Sequence, residues 1–180
     1  MVADLPGIVI ETERLILRRL KVIDLEELAG LQADPDIVRF MGPSDRYGAQ
    51  WLGGVDQDWQ EWGYGRIAIV ERNTGLLLGR TGIKYIEQFR ETELGWTVRR
   101  EAWGRGYATE AARACADWAF HTFEIPYLIS LIEPDNVRSI AVAKRLGMTA
   151  LRDDTFLDRS MVVHSIHRED WLRHQSVRAS

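Results

Sequence analysis

The stretch Trp103-Gly104-Arg105-Gly106-Tyr107-Ala108-Thr109-Glu110 joins a predicted strand to the start of a predicted helix. Its two glycines allow the backbone to approach a ligand closely. The unpaired N–H groups of a first helical turn, with the positive end of the helix dipole, form a natural anion site. Arg99, Arg100 and Arg105 add cationic charge around the turn. The stretch predicts a phosphate site, and a glycine turn with surface arginines is the alternative that stays open.

Two other kinds of phosphate loop fit this stretch poorly. It lacks the Gly-Lys-Ser/Thr ending of a P-loop, and Thr109 stands where a dinucleotide fingerprint has glycine or alanine. The strands before it also form a predicted antiparallel meander, which a doubly wound nucleotide-binding fold would not have. Neither loop type is therefore predicted.

The flanking segments predict a mixed α/β (α+β) fold. Alternating or short apolar runs predict strands at 8–20, 66–72, 76–87, 92–98, 127–132 and 160–166. Helical spacing, caps and breakers predict helices that start at Asp24 and Pro35 and helices at 50–62, 107–120 and 138–146. The middle strands form an antiparallel meander, and 92–132 forms one βαβ passage.

Length and composition restrict the class of protein. The chain has 180 residues, 46% of them hydrophobic, which predicts a single domain spanning 1–180. A net charge of -4 argues against non-specific electrostatic binding of nucleic acid. No apolar run approaches the roughly 20 residues of a membrane helix. The lone Cys115, in an apolar helix, is predicted to be a buried small residue in a reducing cytoplasm.

Six further segments accompany the glycine turn, in this order: Thr12-Glu13-Arg14-Leu15-Ile16-Leu17-Arg18, Gly79-Arg80-Thr81-Gly82-Ile83, Glu93-Leu94-Gly95-Trp96, Asn136-Val137-Arg138-Ser139, Leu146-Gly147-Met148 and Arg168-Glu169-Asp170-Trp171. Their order and spacing resemble the GNAT superfamily of N-acetyltransferases, and in particular its RimJ/RimL branch of ribosomal-protein and related amine acetyltransferases. The resemblance covers residues 12–171, and the glycine turn resembles the coenzyme A pyrophosphate loop of that superfamily.

The resemblance implies a GNAT fold, with a mostly antiparallel sheet whose fourth and fifth strands splay apart around the pantetheine arm. Those strands correspond to residues 92–98 and 127–132. The implied cofactor-binding residues for acetyl-CoA are Trp96, Thr97, Val98, Gly104, Arg105, Gly106, Tyr107, Ala108, Thr109 and Asn136. The family loop usually opens with glutamine or arginine, and Trp103 departs from that pattern as the RimJ/RimL branch commonly does.

The resemblance also implies catalytic residues. Many GNAT enzymes protonate the departing thiolate with a tyrosine, but Ala143 stands at that position here, so Ser139 inherits the role of acid. Glu93 is the implied base that accepts the proton of the amine, and Glu133 is the second choice. The four histidines are scattered through the sequence, so no metal site is expected.

The function implied is transfer of an acetyl group from acetyl-CoA to a primary amine by direct attack in a ternary complex. A protein N-terminal α-amine is the favoured acceptor, and a small-molecule amine such as an amino acid, polyamine or antibiotic is the alternative. A non-catalytic acyl-CoA binding module is the alternative from another class. No nucleic acid or membrane partner is expected, and a homodimer stays open.

Overall fold

An eight-stranded sheet with strand order β1-β2-β3-β4-β5-β6-β8-β7 forms the centre of the computed structural model, which describes residues 9–31, 33–41 and 47–178. The strands are β1 (Val9–Glu11), β2 (Leu15–Arg19), β3 (Arg66–Glu71), β4 (Leu77–Ile86), β5 (Glu91–Val98), β6 (Tyr127–Ile132), β7 (Thr149–Phe156) and β8 (Arg159–His167). The helices are α1 (Asp24–Leu31), α2 (Pro35–Met41), α3 (Ala49–Trp62), α4 (Tyr107–Thr122), α5 (Val137–Leu146) and α6 (Arg168–Arg178), with a 3-10 helix at Arg100–Ala102. The mixed α/β fold is confirmed.

The prediction of one strand at 8–20 was wrong, because the described part of this segment is the antiparallel hairpin β1–β2. Thr12 closes its turn, accepting the Leu15 N–H on Oγ1 at 2.9 Å and donating its own N–H to the Leu15 carbonyl at 2.9 Å. The two arms of a hairpin keep the same two-residue alternation, so periodicity alone does not reveal the reversal. The fourth and fifth strands of the prediction are therefore β5 and β6.

Two elements at the end of the chain, β7 and α6, were not among the predicted elements. β7 is the edge strand of the sheet and pairs only with β8 among the described strands. Its side chains alternate between exposed and half-buried, with no fully buried residue. An edge strand with a solvent-exposed face does not need the alternation of apolar and polar residues on which strand prediction relies.

The splayed strand pair is present at the middle of the sheet. β5 and β6 are parallel, are joined by α4 in the predicted βαβ passage, and are bridged by the register pair Glu93 and Ile129 alone. The Ser130 hydroxyl donates to the Leu94 carbonyl at 2.6 Å beside that bridge. Beyond it the two strands separate, and this leaves an opening between Val98 and the end of β6.

Helix α4 packs closely on β4 and β5 because its buried face is made of small residues. Ala111, Ala112, Cys115, Ala116 and Ala119 are each fully buried, which confirms the predicted burial of Cys115. Burial raises the pKa of the Cys115 thiol to about 12, with a small opposing effect of Arg66. In the part of the chain that the structure describes, no helix is long and apolar enough to cross a membrane.

Candidate active site

A cavity of about 620 Å³ lies at the opening between β5 and β6. Its walls come from the end of β5, the glycine turn, the start of α5 and helix α2. All ten residues expected to bind the coenzyme line it, together with Ser139: Trp96, Thr97, Val98, Gly104, Arg105, Gly106, Tyr107, Ala108, Thr109 and Asn136. Glu93 is not among the lining residues. The predicted residues thus come from three separate segments of the chain and line one cavity.

The glycine turn presents its backbone donors without partners. Gly104 and Gly106 have φ angles of +72° and +81°, which side chains other than glycine adopt with strain. The first helical bond runs from the Glu110 N–H to the Gly106 carbonyl at 3.0 Å. Among the hydrogen bonds of the described residues, none is donated by the N–H groups of 104–109. These N–H groups can receive an anion without breaking any existing bond.

Two of the arginines around the turn, Arg100 and Arg105, form ion pairs with carboxylates. Arg100 pairs with Asp34 at 2.5 Å and with Asp36, which ties the turn to α2. Arg105 donates to the Tyr107 hydroxyl at 3.0 Å and lies 3.8 Å from Glu71. Arg105 also lines the cavity, and its side chain is 57% exposed.

A hydrogen bond from Tyr107 joins the turn to the end of β3. The Tyr107 hydroxyl donates to Glu71, and this bond, with a second from Thr74, holds the pKa of Glu71 below its ordinary value. The same bond raises the pKa of Tyr107. Tyr107 is therefore a neutral donor across the ordinary pH range.

Helix α5 brings Asn136 and Ser139 to the cavity. Asn136 caps the helix, because its Oδ1 accepts the Ser139 N–H at 3.1 Å. The amide nitrogen of Asn136 has no role in this cap and can donate to a ligand. Ala143, where the family tyrosine would stand, is fully buried and does not line the cavity. Ser139 is half-buried and contributes the hydroxyl of this wall.

Glu93 is paired with a partly buried cation, Arg66. Its Oε2 accepts from Arg66 Nη2 at 2.8 Å, and each side chain is 14% exposed. Arg66 reaches Glu93 over Gly95, where a Cβ would lie 2.3 Å from Arg66 Nη1. Burial lowers the pKa of Arg66. Glu93 shares a face of β5 with Thr97, which lines the cavity, at a separation of about 13 Å along the strand.

The second acidic residue, Glu133, is also paired. Arg159 holds it in an ion pair and donates to the Phe40 carbonyl at 3.1 Å, so the end of β6 is tied to the end of α2. In the described part of the chain, no group of three or more His, Cys, Asp or Glu side chains is arranged to hold a metal ion. His164 contacts the Val162 carbonyl, and His167 packs against Tyr127.

Ten lining residues were not among the predicted site residues. Four lie on α2, two before the turn and four on α5: Asp36, Ile37, Phe40, Met41, Ala102, Trp103, Arg138, Ala141, Val142 and Arg145. The α5 group has the helical spacing i, i+3, i+4 and i+7 counted from Arg138, so these residues lie on one face of the helix. The Arg138 guanidinium lies 4.3 Å from the Trp103 ring. The α2 group carries no such signal.

Comparison with known proteins identifies the class. Residues 14–149 match the model of the acetyltransferase (GNAT) domain, so the chain belongs to this family. It is an acyltransferase, with the mixed sheet and the parallel β5–β6 pair of GNAT structures.

Individual proteins are similar to this chain. The uncharacterized protein YkkB of Bacillus subtilis (strain 168) is 35% identical over 142 residues, which are 76% of this chain and 83% of YkkB. The crystal structure of the acetyltransferase from Agrobacterium tumefaciens str. C58 is 34% identical with a TM-score of 0.76, covering 93% of this chain and 97% of that one. The ribosomal-protein-S5-alanine acetyltransferase from Vibrio fischeri shares the fold at 16% identity and a TM-score of 0.73, with 91% and 98% covered.

Proposed function

We propose that this chain transfers the acetyl group of acetyl-CoA to a primary amine in a ternary complex, and that it lies in the RimJ/RimL branch of the family. The observation that carries the proposal is the row of unpartnered N–H groups at 104–109, which faces the same cavity as Asn136 and Ser139. A pyrophosphate needs many donors in a small space, and a helix start supplies them.

Acetyl-CoA fits the cavity in three parts. The N–H groups of the glycine turn hold the pyrophosphate, and the amide of Asn136 with the backbone of Trp96, Thr97 and Val98 holds the pantetheine arm. Arg138 and Arg145, on the outer wall, are cations suited to the remaining phosphate. The thioester then lies towards the bridge between β5 and β6, where the strands begin to separate.

In the reaction, the neutral amine attacks the thioester carbon, a C–N bond forms and the C–S bond breaks. Backbone N–H groups of β5 stabilise the oxyanion that develops on the carbonyl oxygen. Ser139 donates a proton to the departing thiolate and recovers one from water. The proton lost by the amine passes through water to Glu93, because this carboxylate lies outside the cavity wall.

Glu93 suits the proton-accepting role better than Glu133. Both carboxylates are paired with an arginine, but Glu93 is on β5 and shares a face with Thr97, which lines the cavity. Glu133 follows β6, and its Arg159 partner also holds the end of α2. Protonation of Glu133 would therefore disturb the cavity wall.

The acceptor is proposed to be the α-amine of a protein N-terminus. The segments that resemble the RimJ/RimL branch support this choice, and the fold is shared with an enzyme named for acetylating a ribosomal protein. A small-molecule amine is the competing acceptor, because the same fold and the same chemistry would serve it.

A thiol-release assay tests the proposal. Acetyl-CoA is incubated with the protein and with two sets of acceptors: peptides of varied N-terminal residue, and amino acids, polyamines and aminoglycosides. The expected result is release of coenzyme A with a peptide. Release of coenzyme A with a small amine and with no peptide would show that the acceptor is a small molecule instead of a protein N-terminus. Tight binding of acetyl-CoA without turnover on any amine would instead make the chain a non-catalytic acyl-CoA module.

A further inference from the structure

The turn of the β1–β2 hairpin is joined to helix α4 by one partly buried carboxylate, that of Glu110. Glu110 Oε1 accepts from the Thr12 hydroxyl at 2.6 Å and from the Arg14 N–H at 3.0 Å. Glu110 Oε2 accepts from Arg14 Nε at 2.7 Å and lies 2.6 Å from Arg14 Nη2. The Glu110 side chain is 19% exposed. Four contacts thus fix both the turn and the Arg14 side chain in one geometry.

Arg14 extends from this carboxylate to the glycine turn. Its Nη1 donates to the Arg105 carbonyl at 2.9 Å. The Arg105–Gly106 peptide is trans, so its carbonyl and the Gly106 N–H point in opposite directions. Gly106 lines the cavity and Arg14 does not, so a carbonyl held by Arg14 favours an orientation of the Gly106 N–H towards the cavity.

The surroundings leave Arg14 little freedom. Its guanidinium lies 4.4 Å from the Tyr107 ring centroid, and the Arg105 guanidinium lies 4.8 Å from the same centroid. Arg14 also lies close to Gly106, because a Cβ at that position would be in van der Waals contact with Arg14 Nη2 at 3.5 Å. The Arg14 side chain is therefore held by a carboxylate, a carbonyl and an aromatic ring at once.

We propose that Arg14, held by Glu110, is a positioning residue that aims the Gly106 N–H at the coenzyme pyrophosphate. This inference rests on the coenzyme site proposed above. It assigns a role to the Thr12-Glu13-Arg14 turn, which lies outside the cavity wall. Arg14 does not touch the coenzyme; it acts through the Arg105–Gly106 peptide.

The test compares acetyl-CoA with a ligand that lacks the pyrophosphate and the nucleotide attached to it. S-acetylpantetheine carries the same thioester and pantetheine arm as acetyl-CoA but no pyrophosphate. Arg14→Met keeps the aliphatic stem and removes the bond to the Arg105 carbonyl. We expect the Kd of acetyl-CoA to rise about tenfold, as for a lost hydrogen bond to a charged group, with the Kd of S-acetylpantetheine unchanged.

Arg72→Met is the matched control. The Arg72 side chain is 38% exposed against 40% for Arg14, and it also holds the hairpin turn, through the Thr12 carbonyl at 2.6 Å. It makes no contact with the Arg105–Gly106 peptide. Both Kd values should stay at wild-type levels in this variant.

Equal weakening of both ligands by Arg14→Met would make Arg14 a merely structural residue and overturn the inference, as would no weakening of either. If Arg14→Met does not fold, the same two Kd values are measured for Glu110→Gln. This change weakens the contact that holds Arg14 while leaving an oxygen acceptor in place, so the same outcome is expected. Arg14→Lys should recover only part of the affinity, since an ammonium cannot reach both groups. Failure of the wild type to bind acetyl-CoA would instead refute the proposed function.

Discussion

At the scale of single residues, two side chains are assigned chemical roles in very different surroundings. Ser139 lines the cavity at the start of α5, with its N–H used by the Asn136 cap and its hydroxyl available. Glu93 is outside the cavity wall and bound to Arg66. The two roles can therefore be separated by different measurements, one on the chemical step and one on its pH dependence.

Ser139→Ala should slow acetyl transfer while leaving acetyl-CoA affinity near normal. A hydrogen bond made only to the thiolate of the transition state is worth on the order of 1.5–3 kcal/mol, which corresponds to roughly a ten- to hundredfold fall in kcat. Single-turnover kinetics with saturating coenzyme measure this step without product release. Ser165→Ala, at a buried serine that does not line the cavity, should transfer at the wild-type rate. Transfer by Ser139→Ala within about twofold of wild type would exclude Ser139 as the acid.

Glu93→Gln should lower kcat/KM mainly at the acidic end of the pH profile. Without a proton acceptor, only the fraction of amine that is already neutral can react. The Gln oxygen can still accept from Arg66, so the fold should survive. Glu91→Gln is the matched control, because Glu91 lies on the same strand in an ion pair with Arg152 at 2.5 Å and does not line the cavity. A Glu93→Gln profile identical to wild type would move the role to Glu133.

At the scale of elements, the site depends on how the turn before α4 meets its neighbours. The 3-10 helix is tied to α2 through Arg100, and the helix start is tied to the β1–β2 hairpin through Glu110. α4 itself is anchored by its small buried face on β4 and β5. The donors of the turn are therefore preorganised before any ligand arrives, which limits the entropy lost on binding.

Gly104→Asp should abolish acetyl-CoA binding without unfolding the protein. Gly104 and Gly75 share a φ of +72°, and an added Cβ would meet no atom within 4 Å at either position. Both substitutions carry the same backbone strain, but only Gly104 lines the cavity, where a carboxylate would repel the pyrophosphate. Calorimetry should detect no acetyl-CoA binding to Gly104→Asp and an unchanged Kd for Gly75→Asp. Equal affinities in the two variants would contradict the pyrophosphate assignment.

The contact between the β1–β2 hairpin and helix α4 should also make the free energy of unfolding depend on pH in the acid range. Partial burial by itself would raise the pKa of Glu110, but hydrogen bonds from Thr12 and Arg14 outweigh it, and the pKa lies below its ordinary 4.5. A depressed folded pKa adds stability above pH 4.5 that is lost as the pH falls through the folded value. Urea unfolding should therefore show a destabilisation by Glu110→Gln that is largest above pH 4.5 and shrinks in acid. If the free energies of unfolding of wild type and Glu110→Gln differed by the same amount at every pH, the pairing of Glu110 with Thr12 and Arg14 would be contradicted.

At the scale of the whole molecule, the cavity and the core are coupled through α4. The helix that begins at the glycine turn carries Cys115 in its fully buried face. Burial and a raised thiol pKa make Cys115 unreactive in the native state. Its modification therefore reports opening of the core, and a ligand held at the start of the same helix must oppose that opening.

Acetyl-CoA should slow alkylation of Cys115 by iodoacetamide. At a concentration of 100 Kd, a ligand that binds the native state alone adds about 2.7 kcal/mol, so labelling through the open state should slow about a hundredfold. Mass spectrometry over time measures the rate. The Gly104→Asp variant should show no protection. An unchanged rate in the wild type would mean that acetyl-CoA does not bind the native fold.

The sequence by itself determined most of the strands and helices, and it determined the residues that β5, the glycine turn and the positions Asn136 and Ser139 contribute to the cavity. Glycines at a helix start, helical spacing and strand alternation are local signals, so the turn at 103–110, the helix that follows it and the strands at 92–98 and 127–132 were predictable. Alternation also has limits: it did not distinguish one strand from the β1–β2 hairpin, and it did not reveal the polar edge strand β7.

Only the tertiary structure decided which distant side chains meet. Arg14 and Glu110 are 96 positions apart, and Arg66 and Glu93 are joined over Gly95 by the register of three strands. The α2 wall of the cavity likewise depends on an ion pair from Arg100 and on a hydrogen bond from Arg159 to the Phe40 carbonyl. A charged residue carries no local mark of its partner, because ion pairing depends on distances that arise only when strands and helices pack.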